Sequence, residues 1–216
     1  MTLRCIASVV WLALLSLTTS CSQSATRVPY YNDASFTPVW SPSTETLASM
    51  HTVPDFSLTN QHNVSFDSSA LSGKPYVASF FFTTCPGICP NMTKNLKALQ
   101  ATLTPEKDKF HIVTFSVTPD LDTPSVLAKF VESKRIDDAN WSLLTGERLV
   151  IYHLGRRAFF IEEDLGIAKK TDEFIHTENV VLVDGDGHLR GIYNGLNKAS
   201  MATLVDDLRH LVENAL

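Results

Sequence analysis

The hydrophobic pattern after residue 50 predicts a mixed α/β domain. Two strand-like runs of mostly apolar residues lie at 76–82 and 111–117. Between them, the amphipathic stretch at about 91–103 is long enough for a helix of three turns. A strand, a helix and a second strand in this order imply that the two strands are parallel neighbours.

Shorter patterns complete the predicted fold. Upstream, the alternating segments 53–58 and 64–66 flank a polar turn and predict an opening hairpin. Downstream, a second helix follows Pro124, and residues 149–160 also read as helical.

The last part of the chain predicts another hairpin and a closing helix. Residues 180–183 join 190–193 through the turn Asp184-Gly185-Asp186-Gly187, and the helix spans 199–216. This order of elements predicts a thioredoxin-like α/β fold over residues 51–216, extended at its amino end by a β-hairpin.

The amino terminus has the pattern of an export signal. A positive start at 1–4 precedes an apolar run at 5–17, which is shorter than the about 20 residues of a membrane-spanning helix. Small residues then lead to Cys21, so residues 1–20 resemble a bacterial lipoprotein signal. We therefore expect an exported protein that is anchored by lipid on Cys21 and faces the periplasm or another extracytoplasmic space. An ordinary secretory signal is the alternative.

Residues 21–50 are rich in Ser, Thr and Pro and predict a tether, with Phe36 and Trp40 as candidates to dock on the domain. Removal of the signal takes away Arg4 and no acidic residue, which changes the formal net charge from −5 to −6. A nucleic-acid partner is not expected for so acidic a chain.

Cys85 and Cys89 carry the candidate chemistry. They follow the strand at 76–82 and precede the predicted helix, separated by three residues. A sulfur at a helix start faces backbone N–H groups, which favour the thiolate. One turn separates the two thiols, so they are able to form a disulfide or to converge on one metal ion. If Cys5 is cleaved off and Cys21 is lipidated, this pair holds the remaining free thiols and is better suited to reactivity than to scaffolding.

The chain from residue 36 onward resembles the Sco/SenC family of copper-handling, thioredoxin-fold proteins. The matching stretches are 36–40, 51–56, 80–90, 116–124, 141–146, 176–178 and 190–195. The resemblance implies that Cys85, Cys89 and His176 bind one copper ion. It also implies delivery of copper to the dinuclear centre of cytochrome c oxidase, a centre whose thiols some family members reduce.

Two acidic residues are weaker candidates. Many members of the family have an aspartate where this chain has Thr118, so only Asp122 is carried over from that loop, as a residue that supports the site or contacts a partner. Glu178 is placed to hydrogen-bond the His176 ring, or else is a solvated charge at a strand edge. The resemblance implies that His176 lies in the loop where thioredoxin-fold oxidoreductases have a cis-proline, and no proline follows Pro124 in this chain.

Three functions remain open at this stage. The first is a copper metallochaperone without enzymatic turnover, whose partner is a copper-accepting cytochrome c oxidase subunit. The second is a thiol-disulfide oxidoreductase in which Cys85 attacks and Cys89 resolves the mixed disulfide. The third is a copper-dependent redox sensor. Another copper chaperone or a thioredoxin-like reductant is a further candidate partner. The first two functions differ at His176, because copper binding needs the imidazole and disulfide exchange does not.

Overall fold

A mixed seven-stranded sheet lies at the centre of the computed structural model, which describes residues 28–161 and 177–214. The spatial order of the strands is β2-β1-β5-β4-β3-β6-β7. The three central strands β5, β4 and β3 are parallel, and the outer pairs are antiparallel. In chain order the strands are β1 Ser57–Asn60, β2 Ser65–Asp67, β3 Tyr76–Phe81, β4 His111–Ser116, β5 Trp141–Thr145, β6 Asn179–Val183 and β7 Leu189–Asn194.

Helices cover the sheet. They are α1 Thr44–Ala48, α2 Cys89–Thr102, α3 Pro124–Lys134, α4 Arg148–His153 and α5 Lys198–Asn214, and α4 continues as a π-helical turn over Leu154–Ala158. Because side chains alternate across a strand, β3 serves two cores. Val77 and Phe81 pack with α2, α3 and α5, whereas Ala78 and Phe80 pack with α4 and the β1–β2 hairpin.

The architecture confirms the α/β class and the thioredoxin-like order predicted from the sequence. The parallel pairing of β3 with β4 and both hairpins are as expected. One strand was not predicted: β5 lies parallel to β4 and antiparallel to β1, so it joins the opening hairpin to the sheet. Its five residues are all buried, and so short a buried strand has no polar alternation to mark it.

The start of α2 also differs from the expectation. The helix begins at Cys89, two residues before the predicted position, with Pro90 in its first turn. Proline is tolerated there because the first N–H groups of a helix have no partner within the helix. Cys85 consequently lies in the loop before α2 and not within the helix.

Part of the expected tether packs against the domain. The Arg190 guanidinium donates hydrogen bonds to the backbone carbonyls of Val28 (2.6 Å) and Pro29 (3.1 Å), and it pairs with Asp184 at 3.0 Å. The Tyr31 N–H donates to the carbonyl of Leu189 at 2.9 Å. A buried guanidinium requires such acceptors, so Arg190 fixes this segment on β7.

The aromatic residues expected to dock contribute little to this contact. Trp40 is 57 % exposed, and Phe36 makes an edge contact with Tyr31. Cys21 lies outside the described residues. Within the described ranges, no helix is both long and apolar enough to span a membrane.

We predict that His111 makes the fold sensitive to mild acid. Burial, and secondarily the charge of Lys74, lowers the pKa of His111 to about 4, and Nε2 is hydrogen-bonded to the Ser142 hydroxyl at 3.0 Å. The unfolded chain takes up a proton near the ordinary pKa of about 6.5, whereas the folded chain does not. The stability that depends on neutral His111 is therefore fully present above about pH 6.5 and is lost as the pH is lowered toward 4.

His111→Gln should flatten this dependence. Between pH 7.5 and 5 we expect the unfolding free energy attributable to His111 to fall by on the order of 1–2 kcal/mol in the unmodified chain. Urea midpoints at the two pH values measure the loss, with the exposed His153→Gln as the control. Equal losses in the unmodified chain and in His111→Gln would contradict the assignment.

Candidate functional site

The two cysteines lie where β3 passes into α2. The strand ends at Phe81, a loop of seven residues follows, and Cys89 is the first residue of the helix. Within the loop, the Cys85 N–H donates to the carbonyl of Phe82 at 3.3 Å, which closes a turn. Cys85 is partly exposed, Cys89 is 5 % exposed, and both are free thiols.

The sulfur of Cys85 interacts with the backbone N–H groups near the start of α2. The residue before α2, Ile88, offers no side-chain hydrogen bond to the first turn. The N–H groups of Gly87, Ile88 and Cys89 instead act on the Cys85 sulfur and favour its thiolate form, which lowers its pKa. These groups carry the positive end of the helix dipole. The N–H groups at the helix start therefore favour the Cys85 thiolate, as expected from the sequence, although Cys85 precedes the helix.

The pKa values of the two thiols are shifted in opposite directions. Partial burial acts to raise the pKa of Cys85, but the hydrogen bonds from the Cys89 thiol and the three N–H groups outweigh it and lower the pKa below the ordinary thiol value. Burial, followed by the interaction with Cys85, raises the pKa of Cys89 to about 12. The pair thus consists of one activated, accessible thiol and one buried, protonated thiol.

Both cysteines line one largely apolar cavity of about 290 Å³. The remaining lining residues are Phe80, Phe81, Phe82, Pro86, Gly87, Ile88, Val117 and Thr177. Thr177 is the residue that follows His176 in the chain, and His176 itself lies outside the described residues. Among the described residues, no histidine or acidic side chain joins the thiols in a group of three.

Hydrogen bonds tie together the chain on either side of residues 162–176. The Thr177 hydroxyl donates to the carbonyl of Ile161 at 3.0 Å, and the Asn179 side-chain amide donates to the same oxygen at 3.1 Å. The Thr177 hydroxyl also accepts from the Asn179 N–H at 3.0 Å. Sequence reasoning missed Thr177 and Asn179, because a hydrogen bond across sixteen residues leaves no local pattern.

The two acidic candidates lie outside the cavity. Asp122 is 1 % exposed and accepts hydrogen bonds from the hydroxyls of Thr83, Ser116 and Thr118. Glu178 is partly exposed, and its carboxylate accepts a long hydrogen bond from Asn194 at 3.4 Å.

Met92, the soft side chain nearest to the cysteines in sequence, belongs to the core. It is 3 % exposed and packs against Gly195. A methionine at helical spacing from a cysteine is commonly a core residue, and Met92 is one.

Comparison with known proteins identifies relatives over most of the chain. The family model described as SCO1/SenC matches residues 44–213. The SCO1 protein homolog of Bacillus subtilis strain 168 is 32 % identical over 161 residues, which cover 73 % of this chain and 81 % of the relative. A putative copper-binding protein of Stutzerimonas stutzeri is 28 % identical over 147 residues, covering 64 % of this chain and 67 % of the relative.

Solved structures show the same fold. A SCO1/SenC family lipoprotein from Bacillus anthracis superimposes with a TM-score of 0.63 at 31 % identity, covering 74 % of this chain and 95 % of that one. BsSco, a member of the Sco family of cytochrome c oxidase assembly proteins in which a disulfide switch was identified, gives a TM-score of 0.64 at 29 % identity. The match covers 76 % of this chain and 95 % of BsSco.

The opposed pKa shifts predict that the two thiols react at different rates. Iodoacetamide at pH 7 should modify Cys85 at least about tenfold faster than Cys89, because only thiolate is nucleophilic and Cys89 is buried. Peptide mass spectrometry of the reduced protein after short exposures locates the label. Unfolding in urea should abolish the difference, which provides the internal control. Preferential labelling of Cys89 in the folded protein would contradict the assignment.

Proposed function

The chain belongs to the SCO1/SenC family, and on this premise we propose that it is a copper metallochaperone that binds copper through Cys85, Cys89 and His176. It delivers the ion to the dinuclear copper centre of cytochrome c oxidase, and its partner is the copper-accepting oxidase subunit. One observation carries the proposal: the two thiols line the same cavity as Thr177, the residue adjacent to His176.

The chemistry of the donors favours copper as the cargo. Two thiolates and an imidazole form a soft donor set of low coordination number, whereas closed structural zinc sites almost always take four ligands. The apolar lining of the cavity limits competition by water. Since Cys89 is protonated in the metal-free protein, binding of copper releases a proton from it.

The hydrogen bonds around Ile161 support the role of His176. Thr177 and Asn179 fix the chain immediately after His176 at the rim of the cysteine cavity. A ligand next to a fixed residue loses less conformational freedom on binding than one in an unrestrained loop. Glu178 follows in the chain, and we propose that it contributes to the surroundings of the imidazole.

We predict that the reduced protein binds one copper ion and that His176→Ala weakens this binding by at least about tenfold, or about 1.4 kcal/mol. The disulfide form should not bind copper tightly, because the bridge removes both thiolate donors. Titration of the full-length chain against a competing chelator gives the affinity, and the thiolate-to-Cu(II) absorption gives a ligand signature.

The exposed His153→Ala is the matched control and should leave affinity and spectrum unchanged. His176→Ala should still cycle its cysteines with small thiols. Unchanged copper affinity and absorption in His176→Ala would exclude the histidine as a ligand. Equal affinity of the reduced and disulfide forms would exclude the dithiol site.

A thiol-disulfide oxidoreductase is the second candidate function. The asymmetry of the thiols favours it, because an accessible, activated Cys85 is suited to attack and a buried Cys89 to resolution. The disulfide switch of BsSco also supports redox activity in this fold. In this function the protein reduces the cysteines of the oxidase copper site or of other exported proteins. Another copper chaperone or a thioredoxin-like reductant then supplies its copper or electrons.

We further propose that Cys21 carries lipid and that the domain is exported and held at the outer side of a membrane. The apolar run at 5–17 followed by small residues supports this assignment. The relative from Bacillus anthracis is described as a lipoprotein.

Cys21→Ser should abolish lipidation and release the protein from the membrane, because one acyl-modified residue is the expected anchor. Fractionation of cells and intact-protein mass spectrometry measure the result. As a control, Ser22→Ala at the neighbouring position should leave the lipid modification and the membrane fraction unchanged. Retention of Cys21→Ser in the membrane at its original mass would indicate that the amino-terminal apolar segment is the anchor.

A further inference from the structure

A buried carboxylate holds the segment that leads into Cys85. The Oδ2 atom of Asp122 accepts hydrogen bonds from the hydroxyls of Ser116 (2.6 Å) and Thr118 (3.1 Å) and from the N–H of Thr83 (3.2 Å). Its Oδ1 atom accepts from the Thr83 hydroxyl at 2.5 Å. A buried carboxylate needs such donors, and four of them converge here.

These hydrogen bonds extend the link between β3 and β4 beyond the sheet. The backbone pairing continues to the Val117 N–H, which donates to the carbonyl of Phe81 at 2.9 Å. Two residues after Phe81, Thr83 is held by Asp122 through both its N–H and its hydroxyl. Asp122 is itself fixed, because its N–H donates to the carbonyl of Thr118 at 2.9 Å.

Thr83 is two residues before Cys85, so its position determines where the cysteine loop begins. The turn from Phe82 to Cys85 spans Thr83, and the Cys85 sulfur must reach the N–H groups at the start of α2. Hydrogen bonds to a charged acceptor are stronger and more directional than neutral ones. Asp122 does not line the cysteine cavity, and its hydrogen bonds to the segment before Cys85 go to Thr83.

We propose that Asp122 is a positioning residue for Cys85, acting through Thr83 to keep the sulfur against the amino terminus of α2. The inference rests on the proposed function only in taking Cys85 as the reacting thiol. It assigns Asp122 neither to the metal nor to a partner surface.

The test measures the rate of iodoacetamide modification of Cys85 in the folded, copper-free, full-length chain at pH 7. Asp122→Asn keeps the side-chain volume and removes the charge, and Thr83→Val keeps the shape and removes the hydroxyl. Each should slow the modification of Cys85 by about tenfold, because a displaced loop moves the sulfur out of the partly exposed position before α2 in which it is reactive. Thr83→Ser, which retains the hydroxyl, should stay within about twofold of the unmodified chain.

A double variant tests whether the two residues act together. If Asp122 works through Thr83, the rate in Asp122→Asn with Thr83→Val should be no lower than in the slower single variant, whereas independent effects would multiply. Urea midpoints are measured in parallel. A lowered midpoint with an unchanged rate in the folded variants would overturn the proposal and leave Asp122 a purely structural residue.

Thr83→Val decides the question if Asp122→Asn does not fold. The assay contains no copper, so its outcome is separate from that of the copper titration. Failure of the unmodified chain to bind copper would overturn the proposed function and leave this inference intact. An unchanged rate in Thr83→Val would overturn the inference while copper binding stands.

Discussion

The site depends on one contact, between the Cys85 sulfur and the N–H groups of the first turn of α2. No side chain of Ile88 caps this helix, and the N–H groups near its start favour the thiolate form of Cys85. The two thiols differ because the N–H groups lower the pKa of Cys85, whereas burial in the core raises the pKa of Cys89. Activation of the Cys85 thiol therefore requires the first turn of α2.

The two proposed functions make disulfide exchange and metal binding alternative uses of the same two sulfur atoms. A disulfide between Cys85 and Cys89 removes two soft ligands, and a bound soft metal ion withdraws both thiolates from exchange. The apolar cavity at the carboxyl end of β3 favours either outcome over hydration of the sulfurs. Under the proposed function, the oxidation state of the two cysteines controls whether the site holds an ion.

The sequence was sufficient for features that depend on local pattern. Consecutive residues alone predict the buried strand β3, the amphipathic helix α2 and the turn between β6 and β7. The structure contains all three. Features built from distant residues could not be derived in this way. β5 is short and buried without alternation, and its place follows from pairing with β4 and β1. Thr83 and Asp122 are 39 residues apart, so their hydrogen bonds leave no local spacing to recognise.

The clasp of Arg190 on the amino-terminal segment has a mechanical consequence. Arg190 holds Val28 and Pro29 beside Asp184, in the turn that follows β6. This turn lies near the start of β3, whereas Cys85 follows the other end of that strand. Six residues of β3 separate the two ends by about 20 Å. Tension applied through the amino terminus therefore enters the sheet at β7 and is spread over its ladder of hydrogen bonds. In the proposed anchored state, the cysteine loop therefore lies at the end of β3 opposite the amino-terminal segment.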